Sequence, residues 1–306
     1  MSQIKNQTVS GAGEVTGFKK ELRKYDSTPY RILKYTGKTL NTVAKIALVV
    51  VFIFPFFWLF STALKTYIEA IQYPPKLLPA VPQWGNFDFA WNAGKYPMSF
   101  YLKNSIIITV SVLLIQTVVA VPAAYSFARY DFKGSGILFG VVLVAFMVPG
   151  QLTFISIYKM MSKASLLKTL WPQIIPHAAN AFGIFMLRQS FKQIPEELIE
   201  SARLDGGSEG SIMFKIMLPM AKSTLVSVTL FSFIGIWNDY FWPFVMTNSE
   251  LVRPLTIAIA QLRDSENGTQ WQYVMAGNVV LVLPILVVYA FLHKRIINGF
   301  AYSGIK

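Results

Sequence analysis

Apolar residues occur along this chain in long runs that are separated by short polar and charged connections. Six segments contain no Lys, Arg, Asp or Glu, and each reaches or nearly reaches the length of about 20 residues that a helix needs to cross a bilayer core. They extend over 46–64, 104–128, 134–158, 169–187, 223–238 with an apolar continuation through 246, and 267–292. This pattern predicts an all-α integral membrane protein with six transmembrane helices.

Prolines interrupt every one of these runs, or their continuations, at Pro55, Pro122, Pro149-Gly150, Pro172, Pro176, Pro243 and Pro284. Inside a helix bundle, neighbouring helices can satisfy the backbone groups that a proline frees. Kinks of this kind suit helices that line a path or move, and they also occur in static bundles. Both interpretations stay open on the sequence.

The composition agrees with a membrane location. Hydrophobic residues make up 54% of the chain and charged residues 14%, against about 25% charged residues in ordinary soluble domains. The mean hydropathy is +0.46. Cysteine is absent, which excludes disulfides, thiol catalysis and cysteine-held zinc. We expect His177 to be a hydrogen-bonded structural group and His293 to lie at a helix end, so no metal site is predicted.

Positive charge predicts the topology. If both termini are cytoplasmic, the inside parts hold 19 of the 28 Lys and Arg residues. Residues 1–40 are then a basic cytoplasmic tail, and 41–306 form the six-helix domain. The first apolar run begins only near Ala44, so a cleaved secretion signal is not expected. Topology and anionic lipid account for the net charge of +13, and the scattered basic residues do not favour nucleic acid.

The polar connection between the fourth and fifth runs predicts a helical hairpin. Pro195-Glu196-Glu197 is typical of a helix start, because proline fits the first turn and carboxylates suit its positive end. Asp205-Gly206-Gly207 predicts the stop, and Ser208 is expected to cap a second short helix that ends before Pro219. Leu198, Ile199 and Ala202 are expected to form a small apolar face.

The same connection carries a spaced motif. Glu200-Ser201-Ala202 is followed after three residues by Gly206 and after nine more by Ile216-x-Leu218-Pro219. This spacing resembles the EAA loop of ABC importer permeases, whose pattern is E-A-A, three residues, G, nine residues, I-x-L-P. Only Ser201 departs, and it replaces one small residue by another. The alternative is a polar cytoplasmic hairpin without a partner.

The resemblance implies a type I ABC importer permease fold, in which a loop at about 189–221 docks into a cleft of an ATPase. Glu200 would make polar contacts there, Ala202 would allow close approach, and Gly206 would set the turn. The implied partners are two ATPase subunits, a second homologous permease and an external solute-binding protein. ATP and Mg would belong to the ATPase, and this chain would bind no cofactor. The sequence has no phosphate loop, zinc spacing or G-x-S-x-G elbow, which favours a non-catalytic subunit.

A second group of candidate functional residues lies at 235–243, where aromatic residues are adjacent in sequence to Asn238 and Asp239. A charged Asp at the bilayer centre costs roughly 2.5 to 3.5 kcal/mol, so Asp239 should face a cavity, a partner or the interface. Aromatic rings beside amide and carboxylate groups suit sugars, and an ordinary aromatic belt is the alternative. The candidate substrate-pathway residues are Asn180, Trp237, Asn238, Asp239 and Tyr240.

Two further stretches bear on the substrate. The segment around Trp237 resembles the W-N-x-F pattern of carbohydrate-uptake permeases, and the tail 295–306 resembles the end of maltose-transporter inner-subunit permeases. The tail is expected to reach back toward the ATPase. Residues 66–101 form an external segment that lies on the membrane surface or contacts an extracellular partner.

Together these features predict the permease subunit of an ATP-driven sugar importer in a bacterial plasma membrane. A permease for a non-sugar solute is the first alternative. An ion-gradient-driven secondary transporter and a membrane enzyme are alternatives from other classes, and each would need intramembrane relays or paired carboxylates that the sequence scarcely offers.

Overall fold

The computed structural model describes the backbone of residues 28–263 and 268–301 and the side chains of 39–263 and 268–292. Most of the tail predicted for 1–40 and the last residues of the tail at 295–306 therefore lie outside the described residues. The described chain is helical, without a β-strand. Its α-helices are α1 Thr28–Ala63, α2 Tyr67–Ile71, α3 Gly85–Asn92, α4 Met98–Arg129, α5 Ser135–Met147, α6 Gly150–Lys163, α7 Trp171–Ile174, α8 Ala181–Lys192, α9 Glu196–Leu204, α10 Glu209–Ile212, α11 Leu218–Met220, α12 Lys222–Trp237, α13 Phe241–Met246, α14 Leu255–Gln261 and α15 Trp271–Ala301.

Three short elements of other types join them. These are the 3-10 turns Ile175–His177 and Glu250–Val252 and the π-helical turn Met213–Met217. The chain divides into two units, one ending at Trp58 and one beginning at Leu59. Within the described residues, the first unit comprises α1 as far as Trp58.

Three of the described helices are long and apolar enough to cross a membrane: Thr39–Ala63, Met98–Arg129 and Trp271–Leu292. Two bent helix pairs raise the number to five if each pair is one broken span. One is α5 with α6, bent by 98° at Pro149-Gly150, where a break was predicted. The other joins 209–220 to α12 with a bend of 79°. The count of six stays a prediction.

The fourth apolar run, 169–187, does not form one continuous helix. Pro172 and Pro176 open the short α7 and the 3-10 turn that follows it, where their missing N–H groups are tolerated. Asn180 then leaves the helical conformation, and its Oδ1 accepts a bond of 2.9 Å from the backbone N–H of Gly183. An N-cap of this kind starts a new helix, so α8 begins at Ala181. Prolines in long helices behave differently, since Pro55, Pro122 and Pro284 lie inside α1, α4 and α15.

Two apolar clusters make up most of the core, and α4 contributes to both. Near its N-terminal end, Met98 and Tyr101 pack with residues of α12, α14 and α15. Near its C-terminal end, Ala124 and Tyr125 pack with α8 and with the segment 194–221. A helix of 32 residues is about 48 Å long. Helix α4 therefore connects the two ends of the described bundle.

Candidate coupling hairpin and transport pathway

The hairpin at 195–220 begins as the sequence predicts. Pro195 stands at the N-cap of α9, and Glu196 and Glu197 occupy its first turn. Carboxylates at this end oppose the positive pole of the helix. Local chemistry is enough to fix this start, because each of these preferences acts within one helical turn.

The turn between the two arms needs two adjacent glycines. Gly206 has φ +80, a left-handed conformation that costs other residues about 1–2 kcal/mol. The backbone N–H of Gly207 donates to Ala202 O at 2.9 Å. A Cβ on Gly207 would lie 2.7 Å from that oxygen. The helix end predicted at 205–207 is confirmed. Gly207 is needed because its Cα lies too close to the Ala202 carbonyl for a side chain to fit.

The second arm begins at its predicted cap but runs further than predicted. Ser208 Oγ accepts from the backbone N–H of Ser211 at 3.4 Å. The helical path then continues through the π turn and α11 as far as Met220, so the predicted end before Pro219 is wrong. In the π turn the N–H of Leu218 reaches back to Met213 O. This wider turn precedes Pro219, which stands in the first turn of α11 where it needs no donor.

The buried face of the hairpin agrees with the predicted one at Ile199 and Ala202 and differs at Leu198. Ile199, Ile212 and Met217 are fully buried in the cluster with α4 and α8. Ala202 packs partly against the same cluster, whereas Leu198 is 43% exposed. Leu198, Ile199 and Ala202 were predicted to form one small apolar face. Ile199 and Ala202 pack inward as predicted, and the prediction is wrong for Leu198.

The motif residues divide between two faces. Glu200, Ser201, Gly206 and Pro219 are exposed. Ser201 Oγ donates to Leu198 O at 3.1 Å, which satisfies its hydroxyl within the helix. A second group of motif residues, Ala202, Ile216 and Leu218, is partly buried.

Large apolar side chains accompany the exposed motif residues. Leu204 is 89% exposed and Phe214 is 55% exposed. Apolar residues of this size beside charged ones are typical of a surface that contacts another protein.

One carboxylate joins the hairpin to α4. Glu209 Oε2 accepts from the Tyr125 hydroxyl at 2.6 Å, and Glu209 Oε1 accepts from Arg203 Nε at 2.9 Å. Hydrogen bonds from Arg203, Tyr125 and Tyr130 lower the pKa of Glu209 to about 2. The carboxylate is therefore ionised throughout the physiological range. Both arms of the hairpin and the end of α4 meet at this side chain.

Arg129 makes a second attachment at the end of α4. Its Nη2 donates to Phe191 O at 2.6 Å and to Ile194 O at 2.5 Å, and its Nη1 pairs with Glu196. The guanidinium side chain is only 7% exposed. A planar fork can satisfy two carbonyls and a carboxylate at once. Arg129 thus closes the C-terminal end of α8 and holds the start of α9.

Sequence reasoning missed these attachments. Arg129, Tyr125 and Glu209 belong to no motif in the sequence. Tyr125 and Glu209 are 84 residues apart. A single Tyr in an apolar helix is common, and so is a Glu in the first turn of a helix. Only the contact between Tyr125 and Glu209 shows that they connect α4 to the hairpin.

Asn180 lines an open cavity of about 530 Å³ between α4, α5 and α8. Gln116 and His177 add polar groups to it, and Phe146 and Phe182 form a stacked pair at its edge. Asn180 Nδ2 donates to Ser232 Oγ at 2.8 Å, which ties the cavity wall to α12. Gln116 was not among the predicted residues. A concave, mostly apolar wall with a few polar groups is typical of small-molecule sites.

The other predicted pathway residues do not join this cavity. Trp237 is buried in the core, and its Nε1 donates to Leu281 O at 2.9 Å. Asn238 is exposed and its Nδ2 donates to Ile234 O at 3.0 Å. The exposed Tyr240 stacks on Phe244 with ring centroids 5.4 Å apart. Trp237 therefore docks α12 onto α15.

Asp239 is half-buried at the start of α13. Its Oδ1 accepts from the backbone N–H of Trp242 at 3.1 Å. It also lines a separate cavity of about 20 Å³ with Gln173 and His177, which is the size of a single water molecule. Of the three surroundings expected for Asp239, a cavity, a partner or the interface, the structure shows a cavity. That cavity is too small for a sugar.

The structure has three features of a multi-pass membrane transport subunit. These are helices of membrane-spanning length, a cavity wall with polar groups, and an exposed hairpin fixed to α4. The family description "Binding-protein-dependent transport system inner membrane component" matches residues 116–301, and the chain belongs to this family. Membership favours the importer class over the secondary transporter and the membrane enzyme.

Named relatives extend over most of the chain. The arabinooligosaccharides transport system permease protein AraQ of Bacillus subtilis (strain 168) is 28% identical, and the match covers 83% of this chain and 91% of AraQ. A probable ABC transporter permease protein of Pyrococcus horikoshii is 30% identical over 82% of this chain and 91% of its own length. The sn-glycerol-3-phosphate transport system permease protein UgpE of Yersinia pestis is 26% identical over 83% and 92%.

A solved structure shows the same fold. It is a bacterial ABC transporter involved in the import of the acidic polysaccharide alginate, and one of its chains superposes with a TM-score of 0.73. The sequences are 24% identical, and the match covers 88% of this chain and 98% of the other. The type I ABC importer permease fold expected from the motif is confirmed.

Proposed function

We propose that this chain is the membrane-spanning permease subunit of an ATP-driven importer for oligosaccharides or related carbohydrates. It lies in a bacterial plasma membrane with both termini in the cytoplasm and forms half of the translocation pathway. A second homologous permease supplies the other half. The observation that carries the proposal is the exposed hairpin bearing Glu200, Gly206 and Pro219, which is fixed through Glu209 and Arg129 to the end of α4.

Energy for transport comes from two partner ATPase subunits that bind ATP and Mg, and this chain binds neither. The exposed residues Glu200, Leu204 and Phe214 dock against the ATPase. When the ATPases close, the hairpin moves, and its attachments at Glu209 and Arg129 carry the movement to α4. Because α4 is about 48 Å long, movement of one end reorients helices at the other.

The transport cycle is then one of alternating access. A solute-binding protein releases its sugar into a central cavity, for which Asn180 and Gln116 supply one wall. ATP hydrolysis resets the helices toward the cytoplasm. The sugar class is supported by the names of relatives such as AraQ and by the motif resemblance at 237–240.

The proposal is tested by purifying the tagged chain from membranes of its host in mild detergent and identifying its partners by mass spectrometry. We expect an ATPase with a phosphate loop, a second permease and a solute-binding protein. The purified complex should hydrolyse ATP and import arabinotriose into proteoliposomes only when the binding protein is present. A chain that purifies alone and transports in response to an ion gradient would contradict the proposal.

A second candidate substrate class is a phosphorylated polyol, because UgpE is among the relatives. The same proteoliposomes distinguish the two classes when they are offered arabinotriose, maltotriose and sn-glycerol 3-phosphate separately. If only sn-glycerol 3-phosphate were taken up, the protein would still be an importer permease, but its substrate would be a phosphorylated polyol and not a sugar.

A further inference from the structure

A cavity of about 390 Å³ lies beside the N-terminal end of α4, at the opposite end of this helix from the hairpin. Helix α3, the start of α4, α14 and the start of α15 enclose it. Its volume falls within the range of about 300–1,000 Å³ that small-molecule sites occupy. No predicted site residue lies in it. Its aromatic walls are Phe89, Trp91, Tyr96, Tyr101 and Tyr273.

Most of these rings are held in place by their neighbours. Phe89 stacks on Tyr273 with ring centroids 3.9 Å apart, and Tyr96 stacks on Phe100 at 4.7 Å. Phe89 and Trp91 are also accessible from outside, with 49% and 37% of their surfaces exposed. A fixed aromatic wall with one exposed tryptophan offers a flat apolar surface that does not have to be rearranged when a ligand binds.

The polar groups of the cavity are also oriented. Glu250 Oε2 accepts from the Tyr101 hydroxyl at 3.2 Å, and Glu250 Oε1 accepts from Gln261 Nε2 at 3.2 Å. Arg253 pairs with Glu250 and compensates its charge. Gln270 Oε1 accepts from Gln272 Nε2 at 2.7 Å. The cavity thus presents amides, a compensated carboxylate and the Lys95 side chain, and these groups can donate hydrogen bonds to the hydroxyls of a ligand or accept them.

We propose that this cavity binds one sugar unit of an oligosaccharide at the outer end of the permease. The C–H face of the sugar stacks on Trp91, and its hydroxyls form hydrogen bonds with Gln261 and Gln270. The carbohydrate class rests on the proposed function, and the position rests on the cavity. The site lies apart from the wall formed by Asn180, so it holds sugar before entry into the pathway.

The test uses the complete transporter in nanodiscs without its solute-binding protein, so that sugar can bind only to the membrane subunits. Arabinotriose is the probe, and saturation-transfer NMR measures its binding. We expect Trp91→Ala to raise the Kd about tenfold, because it removes the stacking surface. Trp91→Phe keeps an aromatic face and should retain most of the binding. Gln261→Leu keeps the bulk of the side chain and should weaken binding through lost hydrogen bonds.

Trp84→Ala is the matched control. Trp84 belongs to the same external segment and is 69% exposed, but it does not line the cavity. Equal binding by the Trp91→Ala and Trp84→Ala transporters would overturn the proposal. So would a Trp91→Ala transporter that binds arabinotriose normally but loses affinity for the solute-binding protein, since the cavity would then be a protein contact.

Failure of the subsite is distinguishable from failure of the proposed function. If proteoliposomes with the binding protein import arabinotriose while Trp91→Ala leaves sugar binding unchanged, the transporter assignment stands and the cavity assignment is wrong. If only sn-glycerol 3-phosphate is imported, the carbohydrate class itself is wrong.

Discussion

The Tyr125 hydroxyl donates a hydrogen bond of 2.6 Å to Oε2 of Glu209, across 84 residues of sequence. Tyr125 belongs to α4, and Glu209 is the first residue of α10. The other carboxylate oxygen holds Arg203 of α9. The end of the membrane-spanning helix and both arms of the hairpin are therefore joined at one side chain.

Loss of this junction should uncouple ATP hydrolysis from transport. Tyr125→Phe removes only the hydroxyl, and Glu209→Ala removes the whole junction. We expect both variants to assemble with the ATPase and hydrolyse ATP but to import several-fold less sugar per ATP, with Glu209→Ala the more severe. Uptake and phosphate release measured in the same proteoliposomes give this ratio.

The matched control is Glu197→Ala, which removes an exposed carboxylate from the first turn of α9. It should leave the ratio unchanged. A normal ratio in the Glu209→Ala transporter would show that the junction does not transmit movement.

The junction should resist moderate acid. Interactions with Arg203, Tyr125 and Tyr130 lower the pKa of Glu209 from 4.5 to about 2. A lowered carboxyl pKa contributes stability that is complete above the unfolded value and is lost as the pH falls toward the folded value. The difference in thermal stability between wild type and Glu209→Gln should therefore be constant from about pH 8 to 5 and shrink below about pH 4.5. A difference that already shrinks between pH 7 and 6 would contradict this assignment.

Arg129 should be required for a stable hairpin. Arg129→Ala removes the side-chain donor to the Ile194 carbonyl, whereas the Phe191 carbonyl still accepts from the backbone N–H of Ile194. An unsatisfied buried group costs about 1–3 kcal/mol. Arg129→Lys keeps the positive charge but lacks the planar guanidinium group with its several donors. It should therefore recover part of the lost stability. Thermal unfolding in detergent measures both. Lys192→Ala, at an exposed position in α8, is the control and should be neutral.

Gly206 should tolerate no proline. Its N–H donates to Arg203 O at 3.0 Å and its φ is +80, whereas proline has no N–H and holds φ near −65°. Gly206→Pro should abolish transport-coupled ATP hydrolysis and leave membrane insertion intact. Gly210→Ala, where a Cβ meets nothing within 4 Å, should be neutral. Full coupling in the Gly206→Pro transporter would disprove the role of the turn.

Trp237 should affect stability and leave sugar selectivity unchanged. Trp237→Phe removes the donor to Leu281 O in a buried site, at a cost of about 1–3 kcal/mol. The melting temperature should fall, while relative uptake of arabinotriose and maltotriose stays the same. Tyr240→Phe removes only a hydroxyl from an exposed ring and should change neither. If Trp237→Phe changed the sugar preference without lowering the melting temperature, Trp237 would have to be a residue of the substrate pathway.

Local preferences made much of the hairpin predictable. Pro195 and the carboxylates beside it, Gly206 and Ser208 each act on the backbone within a few residues, so the start, the turn and the second cap could be derived from the sequence alone. The end of the second arm could not, because the π turn at Met213–Met217 changes the hydrogen-bond register just before Pro219. Leu198 and Ile199 are both apolar, so the sequence did not show which of them is buried. Packing against α4 and α8 buries Ile199 and leaves Leu198 exposed.

The sequence by itself determined the all-α membrane class and the motif surface, since apolar runs and helix caps are properties of short stretches. Tertiary structure alone decided that Asn180 and Gln116 share a wall, that Trp237 belongs to the core, and that Glu209 meets Tyr125. Each of these depends on which distant side chain comes within hydrogen-bond distance when the helices pack, and no periodicity along the chain encodes that distance.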